Sequence, residues 1–365
     1  MKRLTLGDVC KKASSNIAQK DLQDKMGVYP IYGASGLIKQ VDFYQQDKEY
    51  IAVVKDGAGI GRTMLLPAYS SVIGTMQYLL PKEGIPIDIK YLFYAVEHMN
   101  LAKYFSGATI PHIYFKDYQK EPINIPDIDT QRKISRIFDK IDALVTSRKE
   151  QRTKLDQIVM SRFIEMFGDP VENPHGFRKV ALSELAEIKI GPFGSLLHKE
   201  DYIEGGHPLL NPSHIVDGKV APDSKLTISD KKYDELEAYH LHIGDVVMGR
   251  RGEMGRCAVV PSEGFLCGTG SLLIRTKGEV TADYIQKIIS FPSFRKTIED
   301  MAVGQTMLNL NVPIVSKFQI IKPPIEVQKN YYKFVAQTDK SKLAIQKSLD
   351  KLEILKKALM QKYFG

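Results

Sequence analysis

The 365 residues carry 51 Lys and Arg against 43 Asp and Glu, a formal charge of +8 with histidine neutral; at roughly one domain per 100 to 200 residues, two domains are the expectation. A composition of 43% hydrophobic and 26% charged residues with 27 Gly and 18 Pro excludes collagen-like, low-complexity and wholly disordered chains, and the positive excess points weakly to an anionic partner such as nucleic acid. Three scattered cysteines, Cys10, Cys257 and Cys267, exclude a disulfide framework and fit no metal spacing, and with neither a signal-like apolar core nor a run of about 18 apolar residues the expectation is a cytoplasmic protein.

In chain order, the first stretch has short β-branched and tyrosine-rich runs broken by glycine, such as EYIAVVKDGAGIG (49–61), which predict strands and turns. A short helix is predicted at IKYLFYAVEHMNLAKYF (89–105). From Asp129 to Phe167 there is neither Pro nor Gly, with Pro126 before and Gly168 after, the punctuation of one long helix. Ile134, Ile141 and Leu155 share a heptad register beside Ile137/Phe138, Leu144/Val145 and Ile158/Val159, interrupted by the polar stretch TSRKEQRTK (146–154). The pattern then recurs: strands in GDVVMGRRGEMGRCAVVP (244–261) and FQIIKPP (318–324), a helix over 281–299 interrupted by Pro292, and a second long helix from about Glu326 to Phe364. Its register holds Tyr331, Ile345, Leu352 and Leu359, flanked by Phe334/Val335, Leu349 and Leu355. About 39 residues at 1.5 Å per residue reach roughly 58 Å, so the other long helix is the expected partner.

The recurrence is a repeat. IPDIDTQRKI (125–134) matches KPPIEVQKNY (322–331) and SGATIPHI (106–113) matches VGQTMLNL (303–310) at an offset of 197; Gly61-Arg62 matches Gly255-Arg256 at 194, and RLTLGDV (3–9) matches KVALSEL (179–185) at 176. The drift means that one copy carries extra loop residues. The expected fold is α+β: two tandem α/β domains over 1–128 and 169–324, each followed by a long helix (129–168 and 325–365), the helices pairing as an antiparallel coiled coil with pseudo-two-fold symmetry.

Catalytic patterns are missing. Gly57-Ala58-Gly59-Ile60-Gly61-Arg62 lacks the Lys-Ser/Thr of a phosphate loop, and its counterpart GRRGEMGR (249–256) is equally explained by a glycine turn between strands. His240-Leu241-His242 has no further ligand at metal spacing, Asp88-Ile89-Lys90 only partly matches a nuclease core, and Asn173-Pro174-His175 departs from a methyltransferase motif at its second position. No metal site and no catalytic residue is expected.

With order and duplication added, the residues resemble the specificity subunit of type I restriction-modification systems over essentially the whole chain. The resemblance rests on the tandem domains, on the Pro lead and following Gln of each long helix, on IKIGPFGSLLHKEDYIEGGHPLLNPSHIVDGKV (188–220) and VYPIYGASGLIKQVDFYQQDKEYIAVVKDGAG (28–59) as domain openings, and on Gly107-Ala108-Thr109 and Gly304-Gln305-Thr306. It implies a non-catalytic prokaryotic subunit that binds double-stranded DNA and selects an asymmetric bipartite target, one recognition domain per half-site. It further implies docking of modification subunits, two of them, through the helices, and restriction subunits in the same complex. S-adenosylmethionine, ATP and Mg are then expected on those partners and no cofactor in this chain. Basic and amide side chains in turns are the expected DNA contacts: Lys55, Arg62, His112, Tyr114 and Lys116 in the first domain, and Arg250, Arg251, Arg256, Gln305, Asn309 and Asn311 in the second. Helix pairing is expected from Ile134, Phe138, Ile141, Leu155, Ile345, Leu352, Leu355 and Leu359. Two alternatives stand beside this reading: a stand-alone nucleic-acid-binding or scaffold protein of the same fold, and a nucleotide-binding enzyme using Gly57–Arg62.

Overall fold

The computed structural model describes residues 2–107, 111–302 and 309–365. They form two compact units, one of Met1–Arg152 with Ala344–Gly365 and one of Thr153–Leu343. No helix among the described residues is long and apolar enough to cross a membrane.

The first unit opens with β1 (Lys2–Thr5), the single turn α1 (Leu6–Val9) and β2 (Cys10–Ser14). Strands β3 (Tyr29–Gly33), β4 (Gly36–Val41), β5 (Tyr50–Val54), β6 (Thr63–Leu66), β7 (Ser71–Val72) and β8 (Met76–Pro81) follow. Then come α2 (Ile89–His98), α3 (Phe115–Tyr118), β9 (Pro122–Ile125) and α4 (Ile128–Phe167). The sheets are ordered β2-β8-β5-β6, β4-β3-β7 and β1-β9. Strand β5 is buried along its whole length because both faces are covered: Ile51 and Val53 join the core under α2, while Tyr50, Ala52 and Val54 face a second cluster with Val72 and Tyr78, the two-residue alternation of a strand. Helix α2 stops short of the expected 105, since Asn100 takes a left-handed conformation (φ 50°) and a separate 3-10 turn follows over Leu101–Tyr104.

The second unit repeats the plan. It contains β10 (Lys179–Ala181), α5 (Leu182–Leu185), β11 (Ala186–Ile190), β12 (Tyr202–Ile203), β13 (His207–Leu210), β14 (Ile215–Val216), β15 (Lys219–Val220), β16 (Thr227–Ile228), α6 (Asp230–Glu235) and β17 (His240–Leu241). It continues with β18 (Val246–Gly249), β19 (Cys257–Val259), β20 (Phe265–Cys267), β21 (Ser271–Thr276), α7 (Ala282–Ile289), α8 (Pro292–Met301), α9 (Val312–Ser316), β22 (Gln319–Ile321) and α10 (Ile325–Phe364). Sheet β11-β21-β18-β19 reproduces β2-β8-β5-β6, and β10-β22 reproduces β1-β9. The remaining sheet grows from three strands to five, β12-β16-β13-β20-β17, with the hairpin β14-β15 beside it. Here lie the residues that shift the repeat offset from 176 to 194. Pro292 occupies the first turn of α8, where its missing N–H costs nothing, so the expected interruption is the start of a new helix.

Helices α4 and α10 are 40 residues each, about 60 Å if straight. Within each unit their segments run antiparallel, since partners fall in number along α10 as they rise along α4. In the first unit the ring of Phe138 lies 5.7 Å from Phe364, Asp142 pairs with Lys356 at 2.8 Å, and Arg152 donates to Gln346 at 2.8 Å. In the second, Asp156 pairs with Lys342 at 2.6 Å and the carbonyl of Val159 accepts from Tyr331. Much of the apolar surface goes into the globular cores instead of the helix seam. Ile134, Phe138, Ile141 and Met360 are buried in the first core, where Phe364 packs on Tyr91. Phe163, Phe167 and Tyr331 are buried in the second. Leu155, Ile345, Leu352 and Leu359 are half-buried, and Leu355 stands 46% exposed while Leu349 and Met360 take the buried positions.

One polar residue ties the first turn of each long helix to its domain. Gln131 is fully buried; its Oε1 accepts from the backbone N–H of Asp88, the N-cap of α2, at 2.8 Å, and its Nε2 donates to the carbonyls of Pro86 (3.1 Å) and Pro126 (2.8 Å). Gln328, its repeat partner, is likewise buried, accepting from the N–H of Thr281, the N-cap of α7, at 2.9 Å and donating to the Pro323 carbonyl at 3.0 Å. Removing either amide strands a backbone N–H and carbonyl oxygen in the interior. We expect Gln131→Ala and Gln328→Ala each to destabilise their unit by about 1–3 kcal/mol in urea unfolding, and Leu355→Ala to change stability by less than about 0.5 kcal/mol.

Candidate nucleic-acid interface

The glycine-rich segment of the first unit closes the hairpin between β5 and β6. Gly57, Gly59 and Gly61 all have positive φ, and a Cβ on Gly61 would stand 2.3 Å from the backbone nitrogen of Ala102. The amides of Asp56, Gly57, Ile60, Gly61 and Arg62 donate to carbonyls of the turn and of the neighbouring segments at Thr75 and Pro111, so these N–H groups are already used and not offered as a phosphate cradle. Glycine is required here by conformation.

Around this turn the structure brings the first-domain candidates together. Segment 111–113 runs against the loop, with Gly57 N–H donating to the Pro111 carbonyl, Ile113 N–H to the Lys55 carbonyl, and a bridge between Asp56 and His112. His112 Nδ1 is hydrogen-bonded to Asp56 Oδ1, and Lys55 Nζ lies 3.7 Å from Asp56 Oδ2. The Tyr114 ring sits 4.1 Å from the His112 imidazole, and Lys116 Nζ lies 5.1 Å from the Tyr114 ring centre. Burial first, then the charge of Lys55, lowers the pKa of His112, favouring the neutral ring. Lys55, His112, Tyr114 and Lys116 thus form one continuous cluster, joined by a carboxylate, Asp56, that sequence reasoning did not single out. Arg62 is tied elsewhere, donating to the Ala34 carbonyl just past β3 at 2.9 Å.

In the second unit the equivalent hairpin loop joins β18 to β19. Arg256, the repeat partner of Arg62, donates to the Pro212 carbonyl just past β13 at 3.3 Å. Strands β3 and β13 correspond, each pairing in parallel with one neighbour, so the duplicated arginine staples its hairpin to the second sheet in both units. Glu253 also holds it, at 2.6 Å, and reaches Arg295 at 2.7 Å. Arg250 donates from Nε to Asn309 Oδ1 at 3.2 Å, and a backbone bridge links Arg251 to Asn309. Burial, with the neighbouring Arg251, lowers the pKa of Arg250; a partly desolvated guanidinium of this kind gains by meeting an anion or a base edge. Arg250 and Arg251 line a cavity of about 530 Å³ with Ile190, Phe193, Thr269 and Gly270. Asn311 caps α9, its Oδ1 accepting from Ile314 N–H at 3.0 Å. Gln305 lies outside the described residues, as do Thr109, Gly304 and Thr306.

Two further residues stand out. Phe193, 61% exposed beside the arginine pair, lies in the opening of the second domain, where an aromatic between Pro192 and Gly194 was the available signal. Arg295 Nε is buried with no partner among the described residues, in a cavity of about 570 Å³ with Glu253 and Arg256; nothing in its helical sequence marks it. The other motifs have structural uses. Asp88 caps α2 and Lys90 pairs with Asp139 at 2.7 Å. Asn173 closes a loop on the backbone of Phe177. His240 bonds the Tyr233 carbonyl, and His242 pairs with Glu263.

Two copies of one sheet plan, each with a basic hairpin loop, are what the comparisons with known proteins reflect. Residues 1–157 and 174–355 match the family model described as the type I restriction modification DNA specificity domain. The chain belongs to this family. It is similar to the type I restriction enzyme MjaVIII specificity subunit of Methanocaldococcus jannaschii, 19% identical over 328 residues, covering 85% of this chain and 77% of that one. It is also 28% identical over 155 residues to the EcoprrI specificity subunit of Escherichia coli, 41% of this chain and 38% of that one. Among solved structures, the type I restriction-modification S subunit of M. genitalium matches with a TM-score of 0.58 at 16% identity over 100% of this chain and 96% of its own. A chain from a structure on complex assembly and conformational transition of the type I R-M system matches at 0.64, 15% identity, 100% and 97%. These likenesses establish the shared fold. As a type I specificity subunit, the chain serves a restriction-modification complex in DNA recognition and is itself non-catalytic.

Because Asn311 is a helix cap, a DNA contact by it has to be separated from stability. Asn311→Ala is expected to cost about 1 kcal/mol in thermal or urea unfolding, whereas Asn311→Asp, an equally good cap, should leave stability within about 0.5 kcal/mol.

Proposed function

We propose that this specificity subunit reads an asymmetric bipartite DNA target, one recognition domain per half-site. Two modification subunits dock on the outer faces of α4 and α10, and restriction subunits complete the assembly. S-adenosylmethionine, ATP and Mg belong to those partners, and the length of the long helices sets the number of unread base pairs. The observation that carries the reading is the duplicated sheet β2-β8-β5-β6 and β11-β21-β18-β19 with different side chains at the equivalent hairpin ends: Lys55, His112, Tyr114 and Lys116 in one unit, Arg250, Arg251 and Asn309 in the other. Equal frames give each domain the same way of meeting a duplex, and unequal side chains give each a different base preference. The shared Arg62 and Arg256, together with Asn311, have structural uses of their own; as DNA contacts they would serve positioning more than base choice.

Co-expression with a cognate modification subunit should place methylation at a single bipartite motif in a genome-wide modification map; random or absent methylation overturns the reading. Exchange of residues 1–128 for another recognition domain should alter one half of the motif and leave the other unchanged. DNA affinity of the complex should fall linearly in log–log plots against salt, and Arg250→Ala should relax one base-pair position of the half-site read by the second domain by about 1–3 kcal/mol.

A further inference from the structure

We propose that Asp56 and His112 act as a tautomer-setting pair that reads one base edge of the half-site assigned to the first domain, a proposal that rests on the reading above. The backbone holds both residues from two sides. Asp56 N–H donates to Thr75, His112 is bridged to Asp56, and His112 and Ser106 exchange N–H to carbonyl bonds at 2.9 and 2.8 Å. On the side chains, a carboxylate oxygen faces His112 Nδ1. A carboxylate only accepts, so Nδ1 carries the proton. Lys55 at 3.7 Å supports the charged carboxylate from its other oxygen. Tyr114 covers one side of the imidazole, with Lys116 beyond it.

The consequence falls on the other nitrogen. Nε2 has no hydrogen-bond partner among the described residues, and in the neutral ring with hydrogen on Nδ1 it is a lone-pair acceptor. Burial and Lys55 both work against a second proton; the groups around the ring are the Asp56 carboxylate, the Lys55 ammonium beside that carboxylate and the Tyr114 ring, with the Lys116 ammonium beyond Tyr114. In the major groove the matching donors are the amino groups of adenine and cytosine, whereas guanine O6 and thymine O4 present a lone pair against a lone pair. His112 therefore selects an amino-bearing base at one position. Asp56 is a positioning residue, specifying through the proton it keeps on Nδ1. In the sequence the two residues look unrelated; only the crossing of segment 111–113 over the hairpin loop places them together.

The test uses the complete methylating complex and its modification map. In Asp56→Asn the amide can donate to Nδ1, which releases the proton to Nε2 and turns the acceptor into a donor. The expected result is that preference for adenine or cytosine over guanine or thymine at one position of one half-site falls by on the order of fivefold to tenfold or reverses, with the other half-site intact. His112→Ala should make the same position tolerant of all four bases, and it carries the test should Asp56→Asn fail to yield an active complex. A wild-type pattern in the variants overturns this proposal and leaves the parent reading in place. Change in both half-sites also overturns it, because a folding defect would then explain the result. A wild-type complex without any defined motif overturns the parent reading itself.

Discussion

A buried carboxamide is tolerated only where its donors and acceptor find partners, and in this protein that requirement organises each unit. Gln131 gathers the start of α2, the segment before it and the lead into α4 around a single side chain; Gln328 does the same for α7 and α10. Since α2 packs on β5 and β8, and β5 leads into the hairpin loop, the contact that holds the start of the long helix also holds the helix that backs the candidate residues. The proline leads limit backbone freedom where the amide grips, Pro126 and Pro323 supplying carbonyls as acceptors.

Much of this was legible in the sequence. The Pro lead, the Gln and the absence of Pro and Gly over some 39 residues required long helices on elementary grounds, and the duplicated offsets required two equivalent domains. The helix seam was less legible. An α-helix drifts by about 20° per heptad from a strict seven-residue repeat, so a stripe read in heptads leaves the interface. Leu355 is exposed for this reason while Leu349 and Met360 are buried. The ends of the helices, moreover, met globular cores that no local pattern announces. The second sheet was not readable, being built of strands as short as two residues. In the candidate site, the basic residues were visible by type, but their assembly was not: Asp56 joins His112, and Glu253 reaches Arg295, only through tertiary contact.

Those carboxylates qualify the meaning of the +8 charge. A DNA-binding surface made only of unpaired lysines and arginines would hold any duplex, with counterion release supplying affinity that no sequence can modulate. Here Asp56 and Glu253 sit among the cations and hold them through ion pairs and hydrogen bonds within the protein. Each such carboxylate offsets part of the local positive charge and fixes the direction of the donors and acceptors beside it. The staple made by Arg62 and by Arg256 has the same character: a cation held to a carbonyl of its own protein is pre-positioned, and its removal disturbs the hairpin as well as the field.

The return of residues 344–365 to the first unit also bears on how the protein is made. Met360 and Phe364 complete a core whose other members, Tyr91 and Phe138, leave the ribosome before the second recognition domain has been synthesised. At 5–20 residues per second that interval is on the order of ten to forty seconds, during which the underside of the first domain and the apolar face of α4 stand uncovered. The first domain to be translated is thus the last to be finished. A premature stop within α10, even one past Val335, would strip Met360 and Phe364 from the core of the first unit while sparing that of the second.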